Sequence, residues 1–215
     1  MENEKIVIGF PDKKYKTIYA DPPWPERGGG KIKRGADRHY ELMTVKEIIS
    51  LPVFELAEEN CHLYLWATNN YLPAALEVMR AWGFVYKTCI TWGKDKFGLG
   101  QYYRGQTEHC LFGVRGSLPY KVADGKRQQG KTLILAPRLE HSRKPDKMRE
   151  MIERVSYPPY IELFAREQPL GWDVWGKEAP NAEAPSVIQI PVPASQYQPQ
   201  SLLTASGQMQ EQNRP

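Results

Sequence analysis

The sequence predicts an α/β domain, a Rossmann-like mostly parallel sheet flanked by helices, and three observations carry that prediction. Short segments rich in β-branched and aromatic residues recur between Thr17 and Ala165. Segments with apolar residues at helical spacing lie between several of them. Strands that alternate with helices assemble into a sheet covered on its faces.

Taken in order, Thr17-Ile18-Tyr19-Ala20 is the first strand, and Pro22 and Pro23 stop it because proline cannot continue a hydrogen-bonded ladder. Asp21 is thereby predicted at a strand's carboxyl end. From Pro25 to Arg38 the chain combines Gly28, Gly29, Gly30 and Gly35 with Arg27, Lys31, Lys33, Arg34 and Arg38, the composition of a mobile basic loop. Thr44 and Glu47 have capping-box spacing, and Val45, Ile48 and Ile49 supply the apolar stripe of a short helix. Cys61 to Trp66 is strand-like. Pro73 opens a helix with Leu76, Met79 and Trp82 on one face, which Gly83 ends. Phe84 to Trp92, His109 to Val114 and Leu133 to Ala136 read as strands, joined by basic loops from Gly93 to Thr107 and from Gly116 to Lys131.

Pro145 falls at a first helical position, and Met148, Met151, Ile152 and Val155 follow at i, i+3, i+4, i+7, the clearest amphipathic pattern in the chain. Tyr160 to Ala165 is a further strand, followed by Gly171-Trp172-Asp173-Val174-Trp175-Gly176. Beyond Pro180 the chain is rich in Pro, Gln, Ser and Ala, with only Glu183, Glu211 and Arg214 charged. Such a segment lacks the apolar surface to fold. The expected organisation is one domain over residues 1–179 and a disordered tail over 180–215.

Composition bounds the function. A chain of 215 residues, 41% hydrophobic and 25% charged, can bury one core with a ligand cleft. No apolar run approaches the roughly 18 residues of a membrane span, and Met1-Glu2-Asn3-Glu4-Lys5 lacks a signal-peptide stretch, so a soluble cytoplasmic protein is expected. Cys61, Cys89 and Cys110 are odd in number and lie in apolar runs, as buried reduced thiols do. No C-x-x-C or H-x-x-x-H spacing is present, so no metal is expected. A formal charge of +4 is compatible with a polyanionic partner but short of an architectural DNA binder. Phosphate-cradling and dinucleotide-binding glycine motifs are missing, which removes the basis for nucleotide hydrolysis or a standard nicotinamide site.

The chemistry is concentrated in Asp21-Pro22-Pro23-Trp24. Ligands of open α/β sheets bind beyond the carboxyl ends of strands, where Asp21 is placed. An adenine amino group is a poor nucleophile because its lone pair is delocalised into the ring, so an enzyme needs acceptors aimed at its hydrogens. Asp21 and the Pro22 carbonyl offer such acceptors. The two prolines fix φ and carry no competing N–H. Trp24 offers a ring on which an extruded base could stack. A plain turn after a strand is the competing reading of the tetrapeptide.

The tetrapeptide closely resembles the D/N/S-P-P-Y/F/W signature of amino-directed methyltransferases. With Tyr19-Ala20 before it, His39-Tyr40 and Met43, Leu63-Tyr64-Leu65-Trp66-Ala67-Thr68, Glu108-His109-Cys110, His141-Ser142-Arg143-Lys144-Pro145-Asp146, Ile161-Glu162-Leu163-Phe164-Ala165-Arg166 and Gly171 to Gly176, the chain resembles one adenine methyltransferase family from about Lys14 to Glu178. That family is named for the seventy-kilodalton subunit of eukaryotic mRNA adenosine methyltransferase and includes small bacterial and phage members. The resemblance implies S-adenosylmethionine as cofactor and Asp21, Pro22, Pro23 and Trp24 as the catalytic set. It implies a cofactor site formed by Asp21, Ser142, Lys144, Arg166, Gln168, Gly176 and Lys177, with Lys144 pairing the methionyl carboxylate. It also implies that Trp24, Tyr40 and Glu108 border the target base. The family usually has Asn where this chain has Lys177. A solvated lysine at 144, a surface ion pair at Arg166 and a solvated strand-edge charge at Glu108 are the alternatives without function.

The basic loops, with Arg27, Lys31, Lys33 and Arg34 in the first and Lys121 to Lys131 in the second, are expected to touch phosphates beside the active strand end. The leading function is methyl transfer to the N6 amino group of adenine in DNA. RNA is the alternative polymer, and a noncatalytic nucleic-acid-binding subunit or a small-molecule methyltransferase are the alternative classes. A homodimer or a heteromeric partner stays open.

Overall fold

β1 (Tyr15–Ala20) is a central strand: Ile18 and Ala20 enter one apolar cluster and Tyr19 the other, as expected of a parallel strand covered on both faces. The computed structural model describes residues 9–25, 42–98, 102–138 and 143–180. Beside β1 lie β2 (Ala57–Ala67) and β8 (Tyr160–Leu163), both parallel to it. With β3 (Val85–Gly93), β4 (Thr107–Arg115), β7 (Leu133–Leu135) and β9 (Trp172–Trp175), they form a seven-stranded sheet in the order β7-β3-β4-β2-β1-β8-β9. Four of its six pairings are parallel, and β4 alone runs against both its neighbours. The fold is α/β and Rossmann-like, as the sequence predicts.

One face is covered by α1 (Val45–Ser50), α2 (Val53–Leu56) and α3 (Leu72–Ala81), which bury Ile48, Val53, Leu56, Val78 and Met79 with the adjoining Trp82. The other is covered by α4 (Asp146–Val155), which buries Met148 and Ile152 against Tyr19, Trp66 and Trp92. Predicted signals account for the starts of α1 and α3, whereas α2 was not predicted. Thr44 Oγ1 accepts from Glu47 N (3.3 Å) while Thr44 N donates to Glu47 Oε2 (2.5 Å), a complete capping box. Pro73 occupies the first turn of α3, and Gly83, at φ +83°, turns the chain out of it. Pro145 is the cap of α4 rather than its first helical residue, with extended backbone at φ −61°, ψ 134°. Among the described residues no helix is long and apolar enough to cross a membrane. Cys61 and Cys110 are buried as expected, whereas Cys89 is half-buried.

The segment from Gly116 to Lys131 departs from expectation. It contains a β-hairpin, β5 (Val122–Ala123) and β6 (Lys126–Arg127), turned by Asp124 (φ 50°) and Gly125 (φ 69°). Positive φ at both central residues is the turn that Asp-Gly favours. The hairpin docks on the last turn of α4, where Lys121 N donates to Val155 O (2.8 Å). Because β4 is reversed, Arg115 leaves the sheet beside Cys61 at the start of β2, the end opposite Asp21. The expectation that Lys121 to Lys131 flank the active strand end therefore fails for Lys121, Lys126 and Arg127, whereas Lys131 leads back into β7, whose Leu133 pairs with Thr91 near the end of β3. The basic loop at 26–38 and the tail at 181–215 lie outside the described residues.

Candidate active site

Asp21 follows the last residue of β1 and lies across the ladder from Phe164, one step beyond the Ala20–Leu163 pair. Phe164 holds φ 63°, a conformation that costs a bulky side chain free energy and is concentrated at functional sites. The Asp21 carboxylate accepts from Lys144 Nζ at 2.5 Å. Lys144 Nζ also lies 3.3 Å from Glu108 Oε2, and Glu108 Oε1 is paired with Lys94 Nζ. Four formal charges thus alternate in sign along one short network, brought together by the ends of β1 and β3, the reversed start of β4 and the approach to α4.

Burial dominates the electrostatics of this network, and the pairings decide its sign. Burial pushes the Asp21 carboxyl above its ordinary value, and the Glu108 charge adds to the rise, while Lys144 opposes both. Burial also opposes ionisation of Glu108, but Lys144 and Lys94 outweigh it and hold that carboxyl below its usual range. Desolvation acts against the charged Lys144 ammonium, and two carboxylates overcome it, pushing its titration upward. Lys144 is therefore not a solvated lysine, nor is Glu108 a solvated edge charge: their side chains are 12% and 14% exposed.

Trp24 differs from its expected role as an open stacking face. It is 5% exposed and belongs to the core on the α1–α3 side. Its Nε1 donates to Trp66 O (2.9 Å), and its ring stacks on Tyr71 at 5.5 Å and 19°. The Tyr71 hydroxyl donates to Pro25 O (2.8 Å), and Trp24 N donates to Pro22 O (2.8 Å). The Pro-Pro-Trp turn is thus locked, and the Pro22 carbonyl already accepts one internal hydrogen bond. Trp24 anchors the loop because an indole buried with its N–H satisfied contributes both apolar area and a fixed direction.

Arg166 Nε faces Glu178 Oε2 at 3.4 Å. Gln168 is grouped not with Asp21 and Lys144 but with Pro11, Lys13, Tyr15 and Asp173, around a shallow cavity by the amino ends of β1 and β9. Gly176 is buried against the β8 exit: a Cβ there would lie 3.0 Å from Phe164 Cα and Ala165 N. Gly176→Ala is expected to cost about 1–3 kcal/mol, as overpacking against backbone does, visible as a lower midpoint in urea unfolding; an unchanged midpoint would contradict this packing. Lys177 is exposed. Tyr40, Ser142, Arg27, Lys31, Lys33 and Arg34 lie outside the described residues.

Three contributors escaped the sequence reading. Lys94 closes the charge network, Trp66 presents its ring 5.5 Å from Lys144 Nζ, and Tyr71 backs Trp24. Only the basic character of Lys94 was legible. Its partner depends on β3 and β4 pairing Gly93 with Thr107, which no local pattern encodes.

Sheet and site together define a Rossmann-like α/β domain of the methyltransferase class. The MT-A70 family model matches residues 15–178. The chain belongs to the MT-A70 family. It is similar to the type II methyltransferase M.MunI of Mycoplasma sp, with 32% identity over 211 residues, 87% of this chain and 86% of that protein. It is also similar to the human N(6)-adenine-specific methyltransferase METTL4, with 29% identity over 185 residues, 77% of this chain and 38% of the relative. The N6-methyladenosine RNA methyltransferase MTA1 of Cryphonectria parasitica is 29% identical over 185 residues, 80% of this chain and 53% of the relative. The chain thus spans most of the first relative but under two thirds of the other two.

Proposed function

We propose that the chain transfers a methyl group from S-adenosylmethionine to the N6 amino group of adenine in DNA. The observation that carries the reading is the Asp21 carboxylate held by Lys144 at the carboxyl edge of a central strand, directly before a locked Pro-Pro-Trp turn. Relatives named for adenine or adenosine methylation support the reaction class. A tenable second reading is RNA, favoured by the name of the fungal relative.

The residues present fit the cofactor by charge. Its carboxylate needs a cation, which Lys144 supplies, and its ammonium needs acceptors, which Asp21 and Glu108 supply. When bound, it provides an electrophilic methyl on a sulfonium. Asp21 accepts from the adenine amino group and draws its lone pair out of the ring, while the rigid Pro22 and Pro23 keep that acceptor in place. Arg166, Gly176 and Lys177, close to the strained Phe164, take the rest of the cofactor with Ser142, while Gln168, which lines the separate cavity by the amino ends of β1 and β9, is left out of that set. Tyr40 and Glu108 border the base, and Arg27, Lys31, Lys33 and Arg34 meet phosphates. Trp24 acts from beneath, by fixing the turn.

Methyl transfer from radiolabelled cofactor to matched DNA and RNA, followed by nucleoside mass spectrometry, tests the proposal. N6-methyladenine in the DNA product is expected. Label in RNA alone would move the assignment to the second reading, and label in neither polymer would overturn both.

The network also predicts a pH dependence. If Asp21 acts as an anion, activity falls as the pH drops through its raised pKa. Glu108→Gln removes a negative neighbour and leaves Lys144 to Asp21, so both changes lower that pKa. The acid limb of kcat is expected to shift to lower pH in Glu108→Gln; a shift upward would remove Asp21 from the titrating role.

A further inference from the structure

β3 and β4 are joined by residues 94–106, which leave the sheet beside Glu108. Backbone bonds hold the described ends of this connection together. Lys94 N donates to Gln106 O (2.9 Å) and Gly98 N donates to Gly105 O (2.6 Å). Gln106 Nε2 donates to Lys94 O (2.9 Å), and Arg138 N donates to Asp95 Oδ1 (2.8 Å), tying the base to the chain after β7. The connection is thus a braced wing on the active edge of the sheet.

Its described residues combine exposed rings and cations. Tyr102 and Tyr103 are 92% and 91% exposed and Phe97 is 58% exposed. The Arg104 guanidinium lies 5.6 Å from the Phe97 ring, with its Nε donating to Gly98 O (3.1 Å). Lys96 adds a second cation against the single acid Asp95. Isolated exposed apolar side chains are ordinary on a protein surface. Three rings and two cations within nine positions, beside a cluster of catalytic character, match the pattern by which proteins hold unpaired nucleic acid: rings take base faces and cations take phosphates. Lys94 joins wing to site, since its Nζ pairs with Glu108 and lies 4.7 Å from the Trp92 ring centroid.

We infer that this wing is a stacking platform for the unpaired bases that flank the target adenine. The inference rests on the nucleic-acid reading above and specifies its substrate as a strand locally opened around the target. Phe97, Tyr102 and Tyr103 bind base faces, while Lys96 and Arg104 bind the backbone.

Fluorescence anisotropy with a labelled single-stranded oligonucleotide containing adenine tests it, with methyl transfer to the same strand measured in parallel. The Tyr102→Ala, Tyr103→Ala double variant is expected to bind at least ~30-fold more weakly, since each stacked base contributes about 1–3 kcal/mol, or roughly 5- to 150-fold. Tyr102→Phe with Tyr103→Phe should restore most of the affinity, because the ring rather than the hydroxyl stacks. Cofactor binding by calorimetry should be unchanged in both. Lys96→Gln should flatten the plot of log K against log salt by about 0.7. Wild-type affinity in the double alanine variant, alongside normal methyl transfer by the wild type, would overturn the wing and leave the proposed reaction standing. A wild type that binds no nucleic acid would overturn both.

Discussion

Asp21→Ala is expected to lower kcat for methyl transfer by about 10²–10³-fold, the range seen when one polar group aimed at developing charge is removed. The fold should survive. The carboxylate is 31% exposed, burial already penalises its charge, and Lys144 keeps Glu108 as a partner once Asp21 is gone. A thermal midpoint within a few degrees of the wild type, measured beside the rate, would separate lost chemistry from lost structure. Turnover within tenfold of the wild type would remove Asp21 from the reaction and leave the tetrapeptide as a turn.

Lys144→Met should damage both stability and activity. It strands Asp21 without its ion-pair partner and leaves Glu108 with Lys94 alone. Removing one partner of a buried pair typically costs about 3–5 kcal/mol, and the partial exposure of Asp21 places this case near the lower figure. The pH dependence has a definite sign. In the wild type Glu108 titrates below its unfolded value, so its contribution is complete above the ordinary carboxylate range and is lost as the pH falls through the depressed value. In Lys144→Met the Asp21 carboxyl loses the main group that opposes its rise and Glu108 loses one of the two cations that hold it down, so the deficit is largest near neutrality and shrinks on acidification. Urea unfolding at pH 7 and pH 5 should show the variant closing part of the gap at the lower pH. A gap that widens would contradict the charge assignment.

The placement of Asp21 was legible because it depends on local rules: a short β-rich run, two prolines and an acid between them. The capping box at Thr44 and Glu47 and the stripe of α4 were legible for the same reason, and the structure reproduces both. What stayed hidden depends on pairing over distance. The reversal of β4 follows from a connection after β3 that has no crossover helix, so the two strands meet as antiparallel neighbours. That reversal carries Lys121, Lys126 and Arg127 to the far end of the sheet, although the residues themselves are as basic as those of any phosphate-binding loop. The Asp-Gly step at 124–125 was a readable hairpin signal, whereas its docking on α4 was not. Trp24 was misjudged because a large ring three positions after an acid at a strand end fits both a platform and an anchor, and only the carbonyl of Trp66 and the ring of Tyr71 decide between them.

The reversed strand has a consequence for how such a domain can change over generations. A parallel strand must be re-entered through a crossover whose length is constrained by the sheet it spans. A hairpin between β3 and β4 has no such constraint beyond its closed base, where Lys94 meets Gln106. Insertions and deletions at its tip can lengthen or retailor the reach of the domain while the register of both strands stays fixed. New target preferences could thus arise from a few codons at a tolerant position, without touching the charge network of Asp21, Lys144, Glu108 and Lys94.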